Sequence, residues 1–230
     1  LFVVAAVAIT VFRFWLPALV DRKAEVESFL TNQIGHTVVI GELSAQWQGL
    51  YPSLHASKLA LKDAEGKQDA HLSLGELKLD LDILPLLQGK FVFREITLKR
   101  PVVHVSRSIE GEYYIGSFKA PPPKEGRLAL LFNQHKVNIS DGRFIWHDHL
   151  LKEKEFTVTD INLSMENTGK RHVLNGALEL PEYVAEAMSL NFDIKGNVLD
   201  MGTWSGQFNS MLSGVEPSAL PGIVNEKRLM

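Results

Sequence analysis

The sequence predicts a mainly β protein that begins with a transmembrane helix and carries few, short helices after it. Three observations predict this. Apolar and polar residues alternate with period two, again and again, from His36 to about residue 208. Helical spacing of apolar residues marks only a short stretch after Val20, with RLALLFNQ at 127–134 fitting either a helical turn or two or a buried strand over Leu128 to Phe132. The first twenty residues, LFVVAAVAITVFRFWLPALV, form a nearly unbroken apolar run.

That run is broken by Thr10, Arg13 and Pro17. A helix rising about 1.5 Å per residue needs roughly 20 residues to cross a bilayer core. Arg13 and Trp15, among Phe12 and Phe14, fit the membrane interface, where an arginine snorkels and aromatic rings collect. The apolar part left inside is short, and the chain begins with Leu rather than Met, so further residues are expected upstream. A cleaved signal peptide fits less well, because bulky residues occupy 12–19 where small ones belong. Residues 21–35 then place Val26, Phe29, Leu30 and Ile34 on one side of an amphipathic helix, with Gly35 as its stop. This helix is expected to pack on the following sheet.

The strands come next. Val38 and Ile40 share a face. Leu54 and Ala56 sit on one parity and Leu59 and Leu61 on the other, a phase change that predicts a bulge near Ser57. Leu77, Leu79, Leu81 and Ile83 alternate with Lys78, Asp80 and Asp82, which reads as a one-sided strand with solvated carboxylates. Ile96 and Leu98 precede Val103 and Val105, with Pro101 between them; a proline there predicts an edge or a bulge. Glu110-Gly111 is a hairpin turn and EYYIGSF its return strand. The run APPPKEG, with its prolines at 121–123, is an extended spacer that divides a first β segment, 36–120, from a second, 127–210. The second segment holds KVNIS, an Asp141-Gly142 turn, RFIWHD, FTVTDINLSME, HVLNGALEL, AMSLNFDIKG and TWSGQFN. Met188, Leu190, Phe192 and Ile194 form a further apolar stripe. Residues 211–230 show no clear period. Strands of this kind must have their apolar sides covered, and a self-closing sandwich or barrel and an open groove both satisfy the pattern.

Composition removes several functions. With 24 Lys and Arg against 27 Asp and Glu, the net charge of −3 leaves no basic footprint for nucleic acid. The absence of cysteine excludes disulfides, thiol catalysis and cysteine-held metal. No phosphate loop, dinucleotide fingerprint or nucleophile elbow is present. His147 and His149 share a strand face, but no third metal ligand is evident, and a polar strand end accounts for them. His104 and His172 read as structural, and the sequons at Asn138 and Asn162 lie within strands. No catalytic, metal or cofactor site is expected, and the chain is not expected to be an enzyme.

Particular runs of residues are more specific. Leu84-Pro85-Leu86-Leu87-Gln88-Gly89, Ile96 and Leu98, the Pro101 break, Arg107 and Glu110-Gly111 closely resemble the AsmA-like family of envelope proteins. Ile40-Gly41, Trp47-Gln48-Gly49-Leu50-Tyr51-Pro52, Phe144-Ile145-Trp146-His147-Asp148, Asp160-Ile161-Asn162-Leu163, Asn167 with Gly169-Lys170-Arg171-His172, and Trp204-Ser205-Gly206 are similar to the YhdP branch. The resemblance spans nearly all of 1–208 and implies the N-terminal portion of a longer chain. It implies a single-pass inner-membrane protein of a Gram-negative bacterium, anchored by 1–20 with its bulk in the periplasm. The implied fold is an elongated, curled antiparallel β-sheet groove that passes phospholipid toward the outer membrane. A membrane-tethered scaffold acting through outer-membrane or periplasmic protein partners is the rival. On the groove reading, the lipid-lining candidates are Leu77, Leu79, Leu81, Ile83, Ile96, Leu98, Val103, Val105, Met188, Leu190, Phe192 and Ile194.

Overall fold

The computed structural model describes residues 10, 20–34, 36–49, 51–62, 68–82, 85, 92–120, 134–150, 155–197 and 200–215. Arg13, Trp15, Gly35, Ile83, the 121–126 spacer and the chain beyond 215 lie outside them. No helix among the described residues is long and apolar enough to cross a membrane; the apolar run at 1–20 falls almost wholly outside that search.

One helix, α1 (Lys23–Ile34), precedes a single sheet of twelve strands. These are β1 (Val38–Val39), β2 (Glu42–Gln48), β3 (Tyr51–Lys62), β4 (Gln68–Leu81), β5 (Phe93–Arg107), β6 (Tyr113–Ile115), β7 (Phe118–Lys119), β8 (Lys136–Asp148), β9 (Phe156–Thr168), β10 (Arg171–Glu179), β11 (Ala187–Asn197) and β12 (Asp200–Ser213). The order across the sheet is β1-β3-β4-β5-β8-β9-β10-β11-β12, with β2 continuing the β1 edge and the β6–β7 hairpin beside β5. The path does not return on itself, so the sheet is open and curled rather than a closed barrel. Substantial contacts between elements join only hydrogen-bonded neighbours and the α1–β1 pair, which leaves no second layer among the described residues. Of the sandwich, barrel and groove readings, the open one holds.

Pairing is antiparallel everywhere except between β5 and β8, which run parallel from Ile96↔Val137 to Arg107↔Asp148. An all-antiparallel sheet is therefore corrected at its centre. The link of residues 108–135 is long enough for the crossover that parallel strands require. The same pairing joins the two sequence segments into one sheet. Arg107 clamps its far end: Nε donates to Asp148 Oδ1 at 3.1 Å, and Nη2 donates to Oδ2. Asp148 is buried there.

A crease crosses the strands. Lys58, Arg100, Asp141 and Asp160 have left-handed backbone, with φ of 53°, 51°, 55° and 48°. Register sets Lys58 and Arg100 on either side of Gly75, and Arg100 opposite Asp141. Each such residue slips the side-chain alternation by one, so the apolar set changes parity from Leu54 and Ala56 to Leu59 and Leu61. The same change occurs from Leu77 to Leu74, from Leu98 to Val103, and from Ile139 to Phe144. Leu59, Leu61, Ala56 and Leu77 nevertheless pack in one cluster, so the slip keeps them on the same face. A Cβ on Gly142 would meet Ile139 Cγ2 at 3.3 Å, which places Gly142, and by alternation Phe144 and Trp146, on that face too.

The expected bulge near Ser57 is thus found at Lys58. Pro101 lies beside the crease in a central strand, not at an edge. The expected Asp141-Gly142 turn is instead a kink inside a continuous β8. Asp141→Val is expected to destabilise the chain by about 2 kcal/mol, while Asp141→Gly is near neutral, because only glycine takes this backbone without steric strain. Urea unfolding midpoints check the pair.

Charges line the crease. Lys99 and Arg100 hold the Glu76 carboxyl below its usual range, through contacts of 3.0 and 2.9 Å. A lowered carboxylate pKa stabilises the fold above its unfolded value and loses that contribution as pH falls through the folded one. These groups are exposed, so the effect is expected to be small and erased by salt. An NMR titration of Glu76 with and without salt reads it directly.

Candidate functional site

Register alone assembles one face of the sheet. Trp47 pairs with Pro52, and Ala45 with Leu54. Leu54 pairs with Leu79 and Ala56 with Leu77, and these pair with Ile96 and Leu98. Val137 and Ile139 follow on β8, then Met165 and Leu163 on β9. Leu174 and Gly176 on β10 lead to Phe192 and Leu190 on β11, and Phe208 stacks on Phe192 with ring centroids 4.3 Å apart. Directly opposed residues in a sheet share a face, so this is one continuous apolar band. It crosses nine strands, and at about 4.8 Å per strand it runs roughly 38 Å.

The band holds Leu77, Leu79, Ile96, Leu98, Val103, Val105, Met188, Leu190, Phe192 and Ile194 on one side, which alternation within single strands could not decide. Leu81 is buried beyond a register shift at the end of β4. Val137, Ile139, Leu163, Met165, Leu174, Phe144 and Trp146 also lie in the band and were not among the candidates, although their alternation was visible in KVNIS, FTVTDINLSME, HVLNGALEL and RFIWHD. Most buried side chains belong to this side, among them Val38, Ile40, Ala56, Val137 and Val158. Most other band residues are half-buried, with Phe208 exposed at the β12 end. Gly176 is a tight point: a Cβ there would meet Leu163 Cδ2 at 2.5 Å and Leu190 Cδ1 at 3.1 Å, so the two leucines close over it.

Helix α1 ends the band at the β1 edge. Val26 and Leu30 pack on Val38, Ile40 and Ala56. Glu27 Oε1 accepts the Ile40 backbone N–H at 2.8 Å, and Thr31 Oγ1 that of Val38 at 3.0 Å. Lys23 Nζ donates to the Gly41 carbonyl at 2.9 Å. Edge-strand amides otherwise invite a further strand, and here helix side chains satisfy two of them. The expected packing of this helix on the sheet is what the structure has. Glu27→Ala is expected to cost about 1–2 kcal/mol and to raise hydrogen exchange at the Ile40 amide, leaving β9–β11 unaffected.

The opposite side is polar. His55, Lys78, Thr97, Asn138, Ser164, Asn175, Asn191 and Asn209 align across the strands. Asn138 donates to Glu95 at 2.6 Å, Ser164 to Asn138 at 2.9 Å and Asn191 to Asn175 at 2.6 Å. A shallow hollow of about 820 Å³ is lined largely by this amide row, as a twisted sheet is concave along one diagonal on each side. Asp80 also lies on this side, and its reading as a solvated carboxylate is corrected. It is buried, accepting from Ser53 Oγ at 2.5 Å and paired with Lys78 at 2.8 Å.

His147 and His149 do come together, with ring centroids 4.2 Å apart. Asp148 turns instead to Arg107. Among the described residues no group of three His, Asp or Glu is placed to hold a metal ion. His172 is structural, buried with Nδ1 2.7 Å from Asn167 Oδ1.

A single open sheet with one apolar and one polar side fits a protein of the AsmA-like kind. A family model described as YhdP protein matches residues 1–226, and the chain belongs to the YhdP family. Comparison with curated proteins and with solved structures returns no match.

Proposed function

We propose that the apolar band carries the acyl chains of phospholipid between the inner and outer membranes, serving the lipid balance and permeability barrier of the outer membrane. The single observation that carries this reading is the band itself: a continuous apolar surface of nine strands that no second layer covers among the described residues. An ordinary fold would bury such a surface; here its occupant must be apolar and removable. Each methylene taken from water contributes about 0.8 kcal/mol, so ten methylenes supply roughly 8 kcal/mol without any directed polar contact. A bilayer leaflet is about 15 Å thick in its hydrocarbon, so a band of roughly 38 Å holds more than one lipid along its length.

On this reading residues 1–20 anchor the chain in the inner membrane of a Gram-negative bacterium, with Arg13 and Trp15 at the interface and the sheet in the periplasm. No covalent chemistry or cofactor takes part. The outer edge of β12, which has no partner strand among the described residues, supports the scaffold alternative, in which that edge recruits an outer-membrane or periplasmic protein. Quantifying lipid in protein purified in mild detergent tests the proposal. Phospholipid at one or more molecules per chain is expected; protein free of phospholipid would sink it.

A further inference from the structure

We infer that the amide-lined hollow on the polar side of the sheet is a binding site for a neutral oligosaccharide, laid across strands β8 to β12. This surface lies opposite the apolar band, and the inference stands apart from the acyl-chain reading.

The sequence places an asparagine on each of five successive strands: Asn138 on β8, Asn162 on β9, Asn175 on β10, Asn191 on β11 and Asn209 on β12. Asparagine is disfavoured in strands, and a solvated surface is ordinarily rich in Lys, Arg, Glu and Asp. Strand pairing gathers these amides into two rows. Asn138, Ser164, Asn175, Asn191 and Asn209 stand opposite one another in the first. Two residues further along the strands, Asn162, Ala177, Ser189 and Met211 form the second. Ala177 and Ser189 are short, and the space beside the taller first row is the hollow of about 820 Å³, within the size range of ligand sites.

Among the described residues, no side chain lining this hollow is charged. Charges resume one step beyond the rows, at Lys136, Glu166 and Asp193 on one side and at Asp160 and Glu179 on the other. An amide both donates and accepts hydrogen bonds. A sugar hydroxyl does the same, whereas a phosphate calls for positive charge and a hard metal ion for carboxylates. Asn191 Nδ2 donates to Asn175 Oδ1 at 2.6 Å and Ser164 Oγ to Asn138 Oδ1 at 2.9 Å, which orients the row. The Asn175 Nδ2 and Asn191 Oδ1 atoms then serve a ligand.

The spacing matches as well. Successive strands lie about 4.8 Å apart, close to the length of one pyranose unit in an extended chain. A glycan lying along the rows thus meets one amide or hydroxyl per sugar over roughly 19 Å. Met211, 71% exposed at the β12 end, offers an adaptable apolar thioether to the hydrogen-bearing face of a ring.

Calorimetric titration of the full chain with cellohexaose and with chitohexaose, in a detergent without a sugar head group, tests the site. Saturable binding of at least one is expected. N191A/N209A is expected to weaken it about tenfold or more, and A177R, which fills the hollow, to abolish it. T97A, on the polar side but outside the hollow, is expected to leave it unchanged. Ala177 and Asn209 are exposed, so A177R and N209A decide the matter should the double variant fail to fold by circular dichroism. Absence of saturable binding of both sugars by wild type would overturn the inference, as would binding that A177R and N209A leave unchanged. Preference of wild type for hexagalacturonate over both neutral sugars, lost in A177R, would give the hollow to an anionic ligand and equally overturn it. Each of these outcomes leaves the acyl-chain reading intact.

Discussion

Leu98→Asp is expected to cut phospholipid loading about 100-fold while leaving the chain folded, since a carboxylate at the centre of hydrocarbon costs roughly 3 kcal/mol. Leu98 lies mid-band between Leu77 and Ile139. It is half-buried, without a second layer over it among the described residues, so an aspartate there meets water in the lipid-free protein and folding is spared. Only when acyl chains cover the site does the charge lose its hydration. Thr97→Asp, one residue away on the polar side, is the matched control and is expected to load lipid normally. Far-UV circular dichroism and copurified lipid, measured on both variants, separate a loading defect from a folding one. Equal losses in both would refute the sidedness on which the account depends.

The second large effect concerns stability. Asp80→Ala is expected to destabilise the chain by about 2 kcal/mol, because it strips a buried Ser53 hydroxyl of its shortest partner. The hydroxyl keeps only a weaker contact with His55 Nε2 at 3.2 Å. Ser53→Ala alone leaves the carboxylate paired with Lys78, and is expected to cost less. In the double variant both polar groups are gone, so its loss is expected to fall below the sum of the two single losses. Urea unfolding of the four proteins closes the cycle. Additive losses would mean that the 2.5 Å contact contributes nothing of its own.

How far the sequence reached follows from what period two encodes. Leu77 to Leu81, or Met188 to Ile194, report that a strand has an apolar side, and every such stripe is found on a strand. The break near Lys58 was legible because leucines change parity across it, and Pro101 marked a second. Asp141-Gly142 was misread because the same dipeptide serves a tight turn and a left-handed kink within a strand. Which stripes share a side depends on register between strands distant in sequence, above all the parallel β5–β8 pair, and no local pattern carries that. Asp80 fails for a related reason: alternation tells the side of a residue but not its depth, and the depth comes from Ser53 on the neighbouring strand.

The central claim is that one side of this sheet, and not the other, touches lipid along the length of the band. Site-specific photocrosslinking in cells, one residue apart on the same strands, tests it most directly. Photoreactive side chains at Leu79 and Leu190 are expected to capture phospholipid, while those at Lys78 and Asn191 are not. Capture of protein alone at Leu79 and Leu190, or of lipid equally at all four positions, would contradict the account.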